Sequence, residues 1–362
     1  MRLGLLELGR NAGRFAAVSC AIGFIVFLAL ILAGLSDGLY LGSTGAYRTS
    51  EADVFAFSAG SDFDLASSRV DPDLAESLAA QEGVEAVGRL STLSTTATSA
   101  GEDVQLALVG ADDVTMPVEV EDGRPPDEDS HQVLIDGQTR RQGIDIGDII
   151  SVTDGPDLEV VGVASDAGFG TVTAWIDHDV FDEVVTEVRP ELAGLAGTSQ
   201  TLGVVLADAS DVSPEVDGLV VATQQEAIDA LPAASQQKTT LNGIVYTTFA
   251  VAAIVVGLFF ALVTLEKRNQ FAVLKAIGMP NRTLVAAVFT QAVVTSIIGF
   301  VIGYGLLRLA ELFIPPSVPA LFLVDTAATV AVITLFMGAI GAVFSFRRII
   351  RIDPASALGG AL

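Results

Sequence analysis

The chain has 362 residues, 51% of them hydrophobic, and sets 44 acidic against 19 basic side chains for a formal net charge of −25. A mean hydropathy of +0.57 at that charge excludes an ordinary soluble domain. The acidic balance excludes a nucleic-acid surface, and the single cysteine excludes an internal disulfide.

Residues 1–14 read as a cytoplasmic amphipathic helix, with Leu5, Leu6 and Leu8 set against Glu7 and Arg10 as in segments that lie along a membrane surface. Residues 15–36 read as transmembrane helix 1. Its apolar run, Phe15–Leu35, exceeds the roughly 7–15 residues of a signal-peptide core, and no small-residue cleavage site stands out before the polar turn Ser36-Asp37-Gly38. The segment is therefore expected to be an uncleaved anchor.

Residues 37–241 carry 39 Asp or Glu against 8 Lys or Arg and form the expected extracytoplasmic α/β domain. Val104–Val109, Val133–Ile135, Ile149–Thr153, Leu158–Val163, Val172–Ile176 and Leu202–Leu206 are short β-rich runs bounded by Gly, Asp or Pro. Val84, Val87 and Leu90 mark a further strand. A helix opens at Asp71-Pro72-Asp73-Leu74, with an acidic cap and proline in its first turn. Others are expected at Phe181–Arg189, behind Asp177 or Asp179, and at Thr223–Leu231. The loop Gly123–Asp129, rich in Pro and acid, reads as the junction between two lobes. The acidity itself suits a solvated surface.

Three more apolar runs, Gly243–Leu265, Thr283–Leu307 and Leu321–Phe346, reach the length of about 20 residues that a hydrocarbon core demands. They place transmembrane helices 2, 3 and 4 at 242–265, 283–314 and 318–346. Arg308 and Glu311 suit an ion pair at the outer end of the third. Between spans two and three, residues 266–282 are polar and then amphipathic, with Phe271, Leu274 and Ile277 on one side and a stop at Gly278. Residues 347–362 form a basic cytoplasmic tail. Arg2, Arg10, Arg14, Lys267, Arg268, Lys275, Arg282, Arg347, Arg348 and Arg351 then all face the cytoplasm, with both termini inside and the acidic block outside. The expected fold class is membrane α-helical, with four transmembrane helices, plus an extracytoplasmic α/β domain, in a multi-pass protein of the cell membrane.

The sequence contains no Gly-x-x-x-x-Gly-Lys-Ser/Thr phosphate loop, no His-Glu-x-x-His and no Gly-x-Ser-x-Gly nucleophile elbow. No enzyme activity is expected of the chain itself, so any nucleotide chemistry belongs to a partner. His131 and His178 stand far apart in sequence and no calcium-type loop occurs, so no metal site is expected.

Leu274-Lys275-Ala276-Ile277-Gly278-Met279-Pro280, preceded by Glu266-Lys267-Arg268 and followed by an Ala/Val/Gly-rich span, resembles the signature of the FtsX-like, or MacB-like (type VII), permeases of ABC transporters. Asp353-Pro354-Ala355-Ser356-Ala357-Leu358 resembles that family's closing motif, and the order of one span, a large outer domain and three spans matches it. The resemblance implies a homodimer, no intrinsic cofactor, and two copies of a separate ABC ATPase that carry the ATP and Mg. It also implies mechanotransmission, in which ATP-driven closure is relayed along the first two spans to the outer domains. Arg268–Gly278 would be the coupling helix, with Arg268, Phe271, Leu274, Lys275 and Gly278 at the ATPase.

Two shorter segments, Leu32–Leu39 and Ala357-Leu358-Gly359-Gly360, resemble the haem-efflux branch, which implies haem as the exported substrate. Haem needs apolar walls, an iron ligand and a cation for its propionates, and tyrosine can ligate haem iron. Tyr40, Tyr47, Arg48, Glu51 and Tyr246 fall at the expected outer ends of spans one and two and are the candidate residues. The same tyrosines also suit an interfacial aromatic belt. The alternatives are a transmitter that activates an extracytoplasmic cell-wall hydrolase, or an exporter of another amphiphile or of lipoprotein.

Overall fold

The computed structural model describes residues 12–350 apart from 100, 170–171, 209–213, 316–317 and 319; the side chains of 232–238, 242, 268 and 341–350 also fall outside the description. The expected helix over 1–14 thus lies, as far as residue 11, outside the described residues, as do the tail beyond 350 and its closing motif. The chain divides into two units. One is helical, comprising the chain up to Asp37, Thr239–Pro315 and the chain from Ala320; the other is α/β, comprising Gly38–Lys238 with Pro316–Pro319.

Helix α1, Ala12–Arg48, has residues in both units. It runs through Ser36-Asp37-Gly38, which corrects the turn expected there and the end of the first helix at 36. Its polar side chains are satisfied without breaking the ladder. Asp37 accepts from Thr326, while Ser43 and Thr44 donate to the carbonyls of Leu39 and Tyr40, each at 2.7 Å. An isolated glycine inside an intact helix costs only about 1 kcal/mol.

Among the described residues the α/β unit continues with β1 (Val54–Ser58), α2 (Pro72–Ala79), β2 (Val84–Ser99), β3 (Glu102–Ala111), β4 (Val120–Gly123) and β5 (Gln132–Asp136). Then come α3 (Gly137–Arg141), β6 (Ile149–Val152), β7 (Asp157–Ala164), β8 (Val172–Asp177) and α4 (His178–Val188). A 3-10 turn at Pro190–Leu195, β9 (Thr201–Leu206), β10 (Leu219–Thr223) and α5 (Gln224–Ala230) complete it. The strand order is β10-β1-β9-β2-β3-β8-β5-β7-β4, and β6 pairs with both β2 and β7. That double pairing closes β2-β3-β8-β5-β7-β6 into a barrel around Leu106, Leu108, Ile135, Ile150, Val160 and Ile176, all buried. Closure removes exposed strand edges there. The other half of β2 pairs with β9 and carries the open sheet β9-β1-β10, whose Ala56, Leu202 and Val204 pack with Leu78 of α2.

Strand β2 therefore joins the two lobes. Val84–Leu90 pairs with β9, and Ala97–Ser99 pairs with β6. The Gly123–Asp129 loop is not the junction expected from the sequence, because it connects β4 and β5, both of which pair with β7.

The helical unit contains the first part of α1, most of α6 (Pro232–Glu266), α7 (Arg268–Ala276), α8 (Asn281–Ala310) and α9 (Val324–Ile350). Among the described residues three helices are long and apolar enough to cross a membrane: Ala12–Arg48, Thr239–Glu266 and Asn281–Ala310. The apolar stretch Val324–Ile340 of α9 is shorter. Helices α1 and α8 approach closely at glycines. A Cβ on Gly299 would lie 2.5 Å from Ile22 Cγ2, and one on Gly303 would lie 2.6 Å from the Gly23 carbonyl oxygen. This Gly-x-x-x-Gly spacing is how apolar helices gain contact area without a hydrophobic driving force between them.

Candidate functional site

Helix α7 is the expected coupling helix, and its end has a clear cause. Gly278 takes φ +95°, its N–H bonds the Lys275 carbonyl at 2.9 Å, and the Met279 N–H bonds the Leu274 carbonyl at 3.0 Å. This pair of bonds is a Schellman cap, which needs a left-handed residue that glycine supplies without strain. Of the residues expected at an ATPase, Phe271 is only 2% exposed and belongs to the helical core with Phe260, Leu284 and Val288. It is an anchor of the helix, which corrects its assignment as a contact. Leu274 is half-buried against the same core, and Lys275 is half-buried. The apolar side chains presented outward are Val273 and Ile277, the latter 79% exposed. The Arg268 side chain lies outside the described residues.

The candidate haem residues are divided between the units. Tyr40, Tyr47, Arg48 and Glu51 belong to the α/β unit, and Tyr246 belongs to the helical one. Tyr40 and Tyr47 are two turns apart on α1, so they share a face. Tyr47 has no exposed surface; its ring stands edge-on to Phe55 at 4.6 Å, and its carbonyl accepts from Gln224 Nε2 at 2.8 Å. Burial, and then the charge of Asp64, raise its phenol far above the ordinary value. A phenol so enclosed cannot reach an iron, which removes Tyr47 from the ligand set. Tyr40 is half-buried beside it. Arg48 donates to Thr44 Oγ1 at 3.1 Å and to the carbonyls of Leu41 and Asp166 at 3.4 and 3.1 Å. It fastens the end of α1 to the loop after β7. Glu51 is exposed, and Tyr246 is 66% exposed on α6.

This part of α1 meets the loop after β7 closely because Gly45 has no side chain in the way. A Cβ on Gly45 would lie 2.5 Å from the Ala167 carbonyl carbon, and the Gly45 N–H bonds the Gly168 carbonyl at 3.0 Å. Nearby Asp136 is buried and accepts from the backbone N–H groups of Gln138 and Thr139 at 2.9 and 3.0 Å, capping α3. Burial raises its pKa although these hydrogen bonds oppose the shift.

Within the helical unit, an open cleft of about 630 Å³ lies between α1 and α6. Ile25 and Leu28 form one wall, and Thr240, Gly243, Ile244, Thr247, Thr248 and Val251 form the other. Thr247 and Thr248 turn their hydroxyls back to the carbonyls of Gly243 and Ile244, both at 2.8 Å, so that little hydrogen-bonding capacity faces the cleft. The residue types at these positions are ordinary in any membrane span and do not mark a site. Their helical spacing, 240, 243–244, 247–248 and 251, was the available signal.

Residues 16–217 match the MacB-like periplasmic core domain, and residues 242–354 match the FtsX-like permease C-terminal domain. Over 357 residues, 96% of each chain, the protein is 28% identical to an uncharacterized ABC transporter permease of Mycobacterium bovis. It is 25% identical over 233 residues, 64% of each chain, to a Staphylococcus epidermidis protein provisionally named hemin transport system permease protein HrtB. A Staphylococcus haemolyticus protein of the same provisional name is 27% identical over 146 residues, 40% of this chain and 42% of that one. The chain thus spans 42% to 64% of the length of these two HrtB relatives. Among solved structures, the periplasmic region of MacB from Actinobacillus actinomycetemcomitans matches with a TM-score of 0.38 and 14% identity, over 49% of this chain and 92% of that one.

Proposed function

We propose a function from one premise: the chain belongs to the family of ABC transporter permeases that join a MacB-like core domain to an FtsX-like C-terminal domain. It is a non-enzymatic permease subunit of the cell membrane. In the proposed assembly two copies pair, α9 completes a fourth span, and both termini are cytoplasmic. Two copies of a separate ATPase engage α7 around Val273, Leu274, Lys275 and Ile277. Helices α1 and α6 each have residues in both units, which suits them to carry nucleotide-driven movement by mechanotransmission.

The exported substrate is a hydrophobic molecule taken from the bilayer, with haem as the leading candidate. The α1–α6 cleft carries this reading. It is apolar, open and within the roughly 300–1,000 Å³ range of small-molecule sites. Tyr246 lies outside the lining of the cleft, and its phenol, 66% exposed on α6, is the nominated iron ligand. The names of the two HrtB relatives add support for haem.

Haemin titrated into the detergent-purified permease, followed by its Soret absorption, tests the substrate. A saturable red-shifted band at about one haem per dimer, altered in Tyr246→Phe, supports haem. A spectrum identical to that of haemin in detergent overturns haem and directs the search to other amphiphiles.

A further inference from the structure

A second cleft in the helical unit, on roughly the opposite side of α1 from the first, has a different character. At 3.6 residues per turn, Leu30 and Gly34 lie about half a turn around the helix from Ile25 and Leu28. Leu30 and Gly34 meet Tyr304, Leu307 and Arg308 of α8, Glu311 just after it and the start of α9 around a cleft of about 190 Å³. Its shape depends on Gly34, because a Cβ there would lie 2.3 Å from Phe322 Cδ1. The Leu321 N–H also bonds the Gly34 carbonyl at 2.9 Å, which holds the chain before α9 against α1.

The walls are mostly apolar and the rim is ionic. Arg308 Nη1 lies 2.9 Å from Glu311 Oε1 and 2.7 Å from Oε2, and the Arg308 side chain is 59% exposed. Both contacts use one guanidinium nitrogen, so the remaining face of the fork can still meet an anion. Asp37 accepts from Thr326, which also lines the cleft. One guanidinium therefore shares the region with two carboxylates. This balance disfavours a purely anionic headgroup and favours a phosphate linked to an ammonium. The flanks identify the source: Leu312, Phe313 and Val324 are 77%, 78% and 80% exposed, a collar suited to hydrocarbon. At about 30 Å³ per water-sized group, the cleft can take a small headgroup or the first segment of an acyl chain.

We propose that this cleft between α1, α8 and the start of α9 binds a zwitterionic, amine-bearing phospholipid of the surrounding bilayer, with the phosphate on Arg308 and the ammonium on Glu311. The site is independent of what the protein exports.

The full chain has one tryptophan, Trp175, which is buried in the α/β unit. A reporter can therefore be placed in the cleft as Tyr304→Trp or, on another wall, as Leu323→Trp. Each is reconstituted into vesicles containing either phosphatidylethanolamine or phosphatidylglycerol brominated on the acyl chains. The expected result is quenching of the reporter at about threefold lower mole fraction of the brominated phosphatidylethanolamine. Glu311→Gln should bring that ratio close to one, and Arg308→Gln should raise the mole fraction needed of both lipids, while Trp175 emission stays unchanged. Equal quenching by the two lipids at both reporter positions, or a preference that survives Glu311→Gln, overturns the proposal.

Discussion

His178 Nε2 lies 3.0 Å from Ser91 Oγ, and both side chains are buried in the α/β unit. The Gln200 N–H also donates to Ser91 Oγ at 3.1 Å. Among the described residues Nδ1 has no hydrogen-bond partner, and Asp182 Oδ2 stands off at 3.9 Å. The serine, histidine and aspartate are in the order of a hydrolytic triad. Ser91 nevertheless lies within strand β2, is 4% exposed and has its oxygen committed, which makes the group structural.

Burial and then the Arg89 charge push His178 down to about 4, although Asp112 and Asp179 pull the other way. Arg89 is itself held by Asp112 and Asp179, each at 2.9 Å. A histidine with a depressed native pKa leaves the unfolded chain with more protons between pH 4 and 6.5. Stability from this group is complete above 6.5 and is lost as pH falls toward 4. Asp182, raised by burial, opposes it because its penalty grows as pH rises above the ordinary carboxylate range. Thermal unfolding followed by Trp175 emission should shift downward as pH falls from 6.5 to 4, and His178→Gln should flatten that dependence. An unchanged slope in the variant would reject His178 as its source.

The approach of Gly45 to Ala167 and Gly168 leaves no room for a methyl group. Gly45→Ala is expected to destabilise the α/β unit by about 1–3 kcal/mol, the usual cost of overpacking. Gly194→Ala, where an added Cβ meets nothing within 4 Å, is the control. Equal midpoints for the two variants in Trp175-monitored urea unfolding would contradict the close contact.

The strands at Val133–Ile135, Leu158–Val163 and Leu202–Leu206 were legible because compact β-branched runs between Gly, Asp and Pro have few other uses. The full length of β2 was not, since Ser91–Ser99 is mostly Ser and Thr, and its strand state depends on pairing with β3 and β6. Barrel closure is likewise a tertiary fact with no local pattern. Helix α1 passed through Ser36-Asp37-Gly38 because Thr326, remote in sequence, satisfies Asp37. At the candidate sites, periodicity identified the amphipathic face of α7 but not which side turns inward. Tyrosines mark themselves by type, whereas the α1–α6 cleft is made of residues whose side chains are ordinary in any span.

The two apolar ends of α7 have separable roles. Phe271→Ala removes a ring from the helical core and should cost about 3–5 kcal/mol. Loss of a co-purifying ATPase in that variant would therefore be ambiguous. Ile277→Asp changes a side chain that is 79% exposed, so the thermal midpoint should hold while association with the ATPase weakens at least about tenfold. Full retention of a stoichiometric complex by Ile277→Asp would remove this face of α7 from the interface.

Arg14 and Glu266 form an ion pair between the first turn of α1 and the last residue of α6, immediately before the coupling helix begins at Arg268. The side chains are 48% and 58% exposed, so the pair contributes at most about 1 kcal/mol to stability. In the proposed mechanotransmission its position gives it another consequence: displacement of α7 would reach Glu266 first, and the pair would transfer part of that displacement to α1. Arg14→Glu should leave the melting temperature nearly unchanged and lower substrate-stimulated over basal ATP hydrolysis in the reconstituted complex by about two- to fivefold. The reversed pair Arg14→Glu/Glu266→Arg should restore the ratio, because attraction across the same gap is regained. If the single and double variants hydrolyse ATP alike, movement reaches α1 by another route, through the packing of α1 against α8 at Gly299 and Gly303.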